Sequence, residues 1–408
     1  MFSHKNQFFY IMLVLCAGYT VSQFLRTSIG VLSPNMMNDF NINPNDMGLL
    51  GGVFFLSFAI FQIPAGILID RFGPRKVMSS VIIFAVLGSI IFALSNSFYS
   101  LLIGRIFMGL GCSICLMGSL VLITRWRDTN QFSKLAGIIL AVGGIGGLLA
   151  TTPLSYFSEL YGWRLSFWLA AVVTFFVMLL YYFVLEDRDK GIFINKKNKL
   201  ISPKNLFFVL KERNFKFMIP MSLMSYSSLV VILGLWGAPY LKDIHGLDSI
   251  ERGKILMLMA ISWNIGSFVF GRLRSIFGSY KRVVIFGSIG VIFLLFVLSF
   301  ISNINSTYLY ILFCILGFFG AFSVALISHY QVLFDKEYMG RALSTANFFN
   351  FGGVFFVQWL TGKIIFIMGG NSSGAPIEAY RSAFLFVAIL LLVSLCIYLF
   401  TNEKKNNF

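Results

Sequence analysis

The sequence predicts an all-α integral membrane protein, with twelve transmembrane helices arranged as two six-helix bundles. Three observations predict it. Apolar residues make up 58% of the 408-residue chain and charged residues only 12%, about half the charged share of a soluble domain. Twelve runs are long and apolar enough to cross a bilayer, which takes roughly 20 residues per helix. One long polar stretch, residues 186–215, divides those runs six and six.

The runs fall at approximately 8–34, 46–68, 77–96, 99–123, 135–157, 164–185, 216–241, 254–274, 283–301, 307–332, 343–368 and 380–400. Strands are excluded, because the runs are too long and lack the alternation of a membrane barrel. The first run exceeds the length of a secretory signal and has no small-residue cleavage site, so it reads as a retained helix. Residues 1–185 form the expected N-terminal bundle, 186–215 a cytoplasmic linker and 216–408 the C-terminal bundle. Five cysteines all fall in the runs. Cys112 and Cys115 form a CxxC without a histidine or acid nearby, the setting of small packing residues rather than of a metal or redox pair.

The net charge of +16 is a topology signal. With both termini cytoplasmic, the cytoplasmic segments hold 24 of the 32 Lys and Arg and the outer segments five, the bias that orients multi-pass proteins. A multi-pass inner-membrane location follows. No stacking module or basic fold accompanies the charge, so no nucleic-acid partner is expected. No Walker A sequence, nucleophile–base pair or metal spacing appears, so neither ATP drive, catalysis, metal nor cofactor is expected.

The two halves carry a degenerate repeat. "GILIDRFGPRKV" (66–77) and "GRLRSIFGSYKRV" (271–283) align at an offset of 205, matching Gly66 with Gly271, Gly73 with Gly278 and Lys76 with Lys281, while Asp70 meets Ser275. Glycines there permit a tight turn and close helix approach.

"GILIDRFGPRK" resembles the signature between helices 2 and 3 of the major facilitator superfamily, and "RIFMGLG" (105–111) resembles the arginine motif of its fourth helix. The resemblance spans the whole chain. It implies a transporter of two six-helix bundles, with a central site and alternating access. The stretch beginning "QFLRTSIGVLSP" at Gln23 is similar to the start of the organic-anion (anion:cation symporter) branch, where an acid often precedes the helix-1 arginine; here that position is Leu25. It is also similar to facilitators for amino acids, dipeptides and siderophores. The resemblance places Asp70 against the start of helix 11, near Arg341, as a latch, with Gly66, Gly73 and Arg75 as the other gating residues.

Arg26 and Arg105 stand inside predicted spans at similar depth, whereas all sixteen Asp and Glu lie at helix ends or in loops. Guanidinium holds its charge at any relevant pH and grips carboxylate or phosphate with two parallel bonds. The two arginines therefore mark an anionic ligand or brace the bundle, and ligand binding is the expectation for Arg26. Tyr19, Tyr226 and Asn347 are further substrate-binding candidates. His329, the one histidine within a span, is the candidate for ion coupling. The expected function is secondary transport of a small organic anion (a carboxylate, acidic sugar or amino-acid-like solute), coupled most simply to protons, by a monomer in the lipid bilayer. The alternatives are export of a siderophore or drug, amino-acid or dipeptide facilitation, and a receptor that keeps the fold without turnover.

Overall fold

The computed structural model describes residues 4–127, 129–187, 210, 212–301, 305–334 and 336–402. Among these residues twelve helices are long and apolar enough to cross a membrane: α1 (Gln7–Phe40), α2 (Pro44–Phe72), α3 (Pro74–Ala93), α4 (Phe98–Trp126), α5 (Lys134–Tyr161), α6 (Trp163–Val184), α7 (Arg213–Asp243), α8 (Ser249–Phe277), α9 (Tyr280–Phe300), α10 (Thr307–Leu333), α11 (Ala342–Ile367) and α12 (Ile377–Tyr398). Each coincides with one of the runs expected from the sequence. The linker expected at 186–215 lies mostly outside the described residues. α1 extends past its expected end to Phe40, through Pro34. The chain then turns at Asn41, whose φ of 50° lies in the left-handed region that asparagine tolerates better than most residues.

The helices are not equally enclosed. In α7, 83% of the most apolar window is buried within the protein, against 33% in α5 and in α6. The outer side of α6 is a row of large exposed apolar residues, Val172, Val173, Phe176 and Phe183, which only lipid tails can cover without cost.

Packing divides the chain into two compact units: Met1–Ser28 with Leu56–Ile201, and Ile29–Phe55 with Ser202–Phe408. The division does not follow the chain at the linker, because the last part of α1 and the first part of α2 pack with the later helices.

In the first unit, α4 carries glycines seven residues apart. A β-carbon at Gly104 would lie 3.0 Å from the Gly88 carbonyl oxygen, at Gly111 2.2 Å from the Ala85 nitrogen, and at Gly118 2.5 Å from the Met78 sulfur. Seven residues are two helical turns, so the three glycines form one seam that lets α3 approach α4 closely.

In the second unit the end of α1 and the start of α2 meet α7 and α11 by the same means. A β-carbon at Gly30 would lie 2.5 Å from the Leu233 carbonyl oxygen, and at Gly48 2.5 Å from the Gln358 carbonyl oxygen. Gly362 faces Gly48 directly: a β-carbon there would lie 2.4 Å from the Pro44 carbonyl oxygen and 3.0 Å from Gly48 Cα. Here α7 is locally irregular. It breaks at Tyr226 and takes one π-turn over Ile232–Trp236. A π-turn disturbs the regular pairing of backbone carbonyls, and side chains from neighbouring helices supply donors. Ser33 Oγ donates to Leu235 O at 3.1 Å and Gln358 Nε2 to Val230 O at 3.3 Å. Trp236 Nε1 donates to Thr361 Oγ1 at 2.9 Å, tying the same turn to α11.

The same end of the second unit carries a polar clasp. Asp243 Oδ2 accepts from Ala375 N at 2.9 Å and Tyr380 Oη at 2.6 Å, and Ser372 hydrogen-bonds Asn41. The α11–α12 loop is thereby tied both to α7 and to the α1–α2 turn.

Candidate transport site

Arg26 is 4% exposed, and its guanidinium lies 4.8 Å from the centroid of the Phe58 ring of α2. A cation over an aromatic face is attracted by the ring quadrupole. That contact occupies one face of the planar group, whereas bidentate recognition of a carboxylate uses its edge. Arg105 is fully buried, and its Nη1 donates to the carbonyl oxygen of Leu25 at 2.8 Å. The α4 arginine therefore holds the α1 backbone at the residue before Arg26. Tyr19 is buried against α5: a β-carbon at Gly143 would lie 2.0 Å from its ring. Sequence reading missed Gln23, which is buried one helical turn before Arg26 and whose Oε1 has no hydrogen-bond donor. Projecting the face of Arg26 back along α1 would have found it.

In the second unit Tyr226 sits at the break in α7, buried, with its ring 6.2 Å from Trp263 of α8 and 5.9 Å, edge-on, from Phe351 of α11. Asn347 is one turn before Phe351 on α11. Asn350, beside Phe351, accepts a 3.4 Å bond from Ser225 Oγ. Trp263 was not singled out by the sequence, where it is one aromatic among many.

His329 is fully buried, and its Nδ1 lies 2.5 Å from the Tyr398 hydroxyl. It ties α10 to α12.

The signature loop makes its described contacts within the first unit. Gly73 has φ +82°, and its counterpart Gly278 has φ +71°, so both positions require glycine for the turn. Close approach does not hold at Gly66, where an added β-carbon would meet only the Met117 sulfur at 4.0 Å, nor at Gly271, where nothing lies within 4 Å. Arg75 is bound within its own unit: Nε and Nη2 donate to the Tyr182 carbonyl at 3.0 and 2.7 Å, at the C-terminal end of α6. Its backbone N–H donates to Asp187 Oδ1 at 3.0 Å, so the carboxylate that follows α6 caps the first turn of α3, where negative charge is favoured. Trp126 Nε1 donates to Glu186 O at 2.9 Å, and Gln7 also bonds Glu186. The beginning of the linker is thus nailed to α1, α3 and α4. Lys281 repeats the device in the other half, donating to Leu399 O and Thr401 O at 2.8 and 2.7 Å. Asp70 is exposed at the end of α2, and the side chain of Arg341 lies outside the described residues.

Asp187→Ala is expected to lower stability by about 1 kcal/mol, the usual worth of a helix cap. Gly73→Ala should cost more, because a β-carbon there would lie 2.3 Å from Asp187 Oδ2 in addition to the strain of positive φ. Thermal unfolding in detergent checks the order of the two variants.

All five cysteines are free, and no group of three or more metal-ligating side chains occurs among the described residues. The family model described as Major Facilitator Superfamily matches residues 15–358, which take in the glycine-turn signature and its repeat. The chain belongs to the major facilitator superfamily. This facilitator is 24% identical over 274 residues to the hexuronate transporter of Bacillus subtilis (strain 168), covering 65% of this chain and 63% of that protein. It is 21% identical over 392 residues to the membrane sensor protein UhpC of Escherichia coli (strain K12), covering 87% and 85%. An uncharacterized transporter of Buchnera aphidicola subsp. Schizaphis graminum (strain Sg) is 27% identical over 205 residues, 49% of this chain and 50% of that protein. The chain thus spans half to somewhat under two thirds of the length of the Buchnera and Bacillus relatives. Among solved structures, a mutant of the nucleoside transporter NupG superposes with a TM-score of 0.78 at 14% identity, over 96% of this chain and 100% of that one. That likeness shows the shared fold. The chain's twelve described membrane-length helices make it a multi-pass membrane protein of that superfamily.

Proposed function

We propose that this facilitator carries a small organic anion across the inner membrane by alternating access, coupled to protons, with both termini cytoplasmic. Arg26 is the residue that holds the anion. The observation that carries the reading is a permanent positive charge, 4% exposed, in the middle of α1. Placing arginine there costs several kcal/mol, and a carboxylate solute offsets that cost with a charge-assisted fork. Arg105 acts as a positioning residue, through its bond to the α1 backbone. The bundles 1–185 and 216–408, joined by 186–215, are the halves that rock. Asp70 and Arg341 remain proposed gate partners, and Tyr19, Tyr226 and Asn347 proposed solute contacts. His329 is the remaining coupling candidate, although its bond to Tyr398 favours a packing role. The carboxylate solute of the Bacillus relative supports the anionic class.

The test is uptake of radiolabelled D-glucuronate into proteoliposomes with an imposed proton gradient. Accumulation of several-fold, abolished by a protonophore, is the expected result. Binding without flux moves the protein to a sensor role, the role in the name of the Escherichia coli relative. Gradient-driven extrusion makes it an exporter.

A further inference from the structure

Two buried indole nitrogens in this chain have acceptors at 2.9 Å: Trp126 on the Glu186 carbonyl and Trp236 on Thr361 Oγ1. Trp263 departs from them. Its Nε1 is shut off from solvent and has no hydrogen-bond acceptor. Buried tryptophan N–H groups normally find a partner, and one left unmade is a standing cost to the state that contains it.

The surroundings of Trp263 suggest what the partner is. Its ring is tilted 44° to Tyr226, which meets Phe351 at 83°, so three helices contribute to one aromatic wall. Asn347 lies on the same face of α11 as Phe351 and makes no hydrogen bond among the described residues. Tyr226 stands where α7 breaks, between the helical segments Arg213–Ser225 and Ser227–Val231. An apolar wall with a few polar groups lacking partners is the composition of a small-molecule site.

We infer that Trp263 is a specificity-determining contact for the transported solute: its indole N–H donates to an oxygen of a ring-form, oxygen-rich solute such as a sugar acid, whose C–H face lies against Tyr226 and Trp263. The inference rests on the transport reading above and narrows its substrate class from any small anion to one with a hydroxylated ring.

The test uses purified full-length protein, with Trp263→Phe removing the N–H and keeping a ring. D-Glucuronate should bind about three- to tenfold more weakly, the worth of one hydrogen bond, while acetate, which lacks the ring, is held equally by both. Equal glucuronate affinity overturns the inference. If wild type binds neither acid, the anionic reading is what fails. D-Xylose and uridine, neutral rings with the same oxygen acceptors, then replace glucuronate. Undiminished affinity in the variant, or no binding by wild type, then overturns the inference.

Discussion

Arg26→Ala should weaken binding of the anionic solute by about two orders of magnitude, with the protein still folded. Removing one partner of a buried, hydrogen-bonded charge pair costs about 2–5 kcal/mol, so even the low end exceeds tenfold. Two companion variants separate charge from geometry. Arg26→Lys keeps the charge but loses the planar fork, and should fall between alanine and wild type. Phe58→Leu removes the ring that lies 4.8 Å from the guanidinium while leaving the charge, and should cost up to about tenfold, as expected for a cation–π contact of about 0.5–1 kcal/mol with some loss of orientation. Isothermal titration of purified protein with D-glucuronate measures all three. Equal affinity in wild type and Arg26→Ala would make the arginine a brace for the bundle, alongside Arg105.

Gly362→Ala should be strongly damaging, and Gly66→Ala one of the mildest single-methyl changes in the protein. At Gly362 the new methyl would stand 2.4 Å from the Pro44 carbonyl oxygen and 3.0 Å from Gly48 Cα. Both are backbone atoms, so α2 and α11 must separate. Overpacking of this kind costs about 1–3 kcal/mol, which shifts a two-state population by roughly five- to 150-fold. If this close-packed arrangement forms in every transport cycle, flux should drop by a similar factor. At Gly66 the methyl meets only ordinary van der Waals contact, and alanine is the better helix former. Proteoliposome flux and thermal unfolding of the two variants give the comparison. Normal flux in Gly362→Ala would show that α2 and α11 need not close this tightly for turnover, and lost flux in Gly66→Ala would support the gating role the signature resemblance gives that glycine.

These contrasts mark how far the sequence could be read. The spans were legible because hydrocarbon thickness sets a length that composition reveals directly, and all twelve runs coincide with helices. Gly73 and Gly278 were legible through their repeat, and positive φ explains both. Gly66 and Gly271 repeat equally well, yet neither is crowded, because a shared motif records ancestry as well as packing. The bonds of Arg75 to Tyr182 and Asp187 join residues more than a hundred positions apart, and no local pattern announces them. Gln23 lay within reach of helical periodicity, one turn from Arg26. Trp263 did not, because what distinguishes it is an acceptor its indole lacks, and only three-dimensional neighbours reveal that.

The grouping of Ile29–Phe55 with the second unit has a consequence for how the protein is made. Ribosomes add roughly 5–20 residues per second, so Gly30 waits about 10–40 s after its own synthesis before Leu233 exists to pack against it. During that interval the glycine faces of α1 and α2 are in the bilayer without their final neighbours. A chain severed in the linker would hand α7 and α11 to a fragment that lacks part of its own packing core. The second half made alone should therefore be short-lived in cells, and co-expression of residues 1–185 should rescue it.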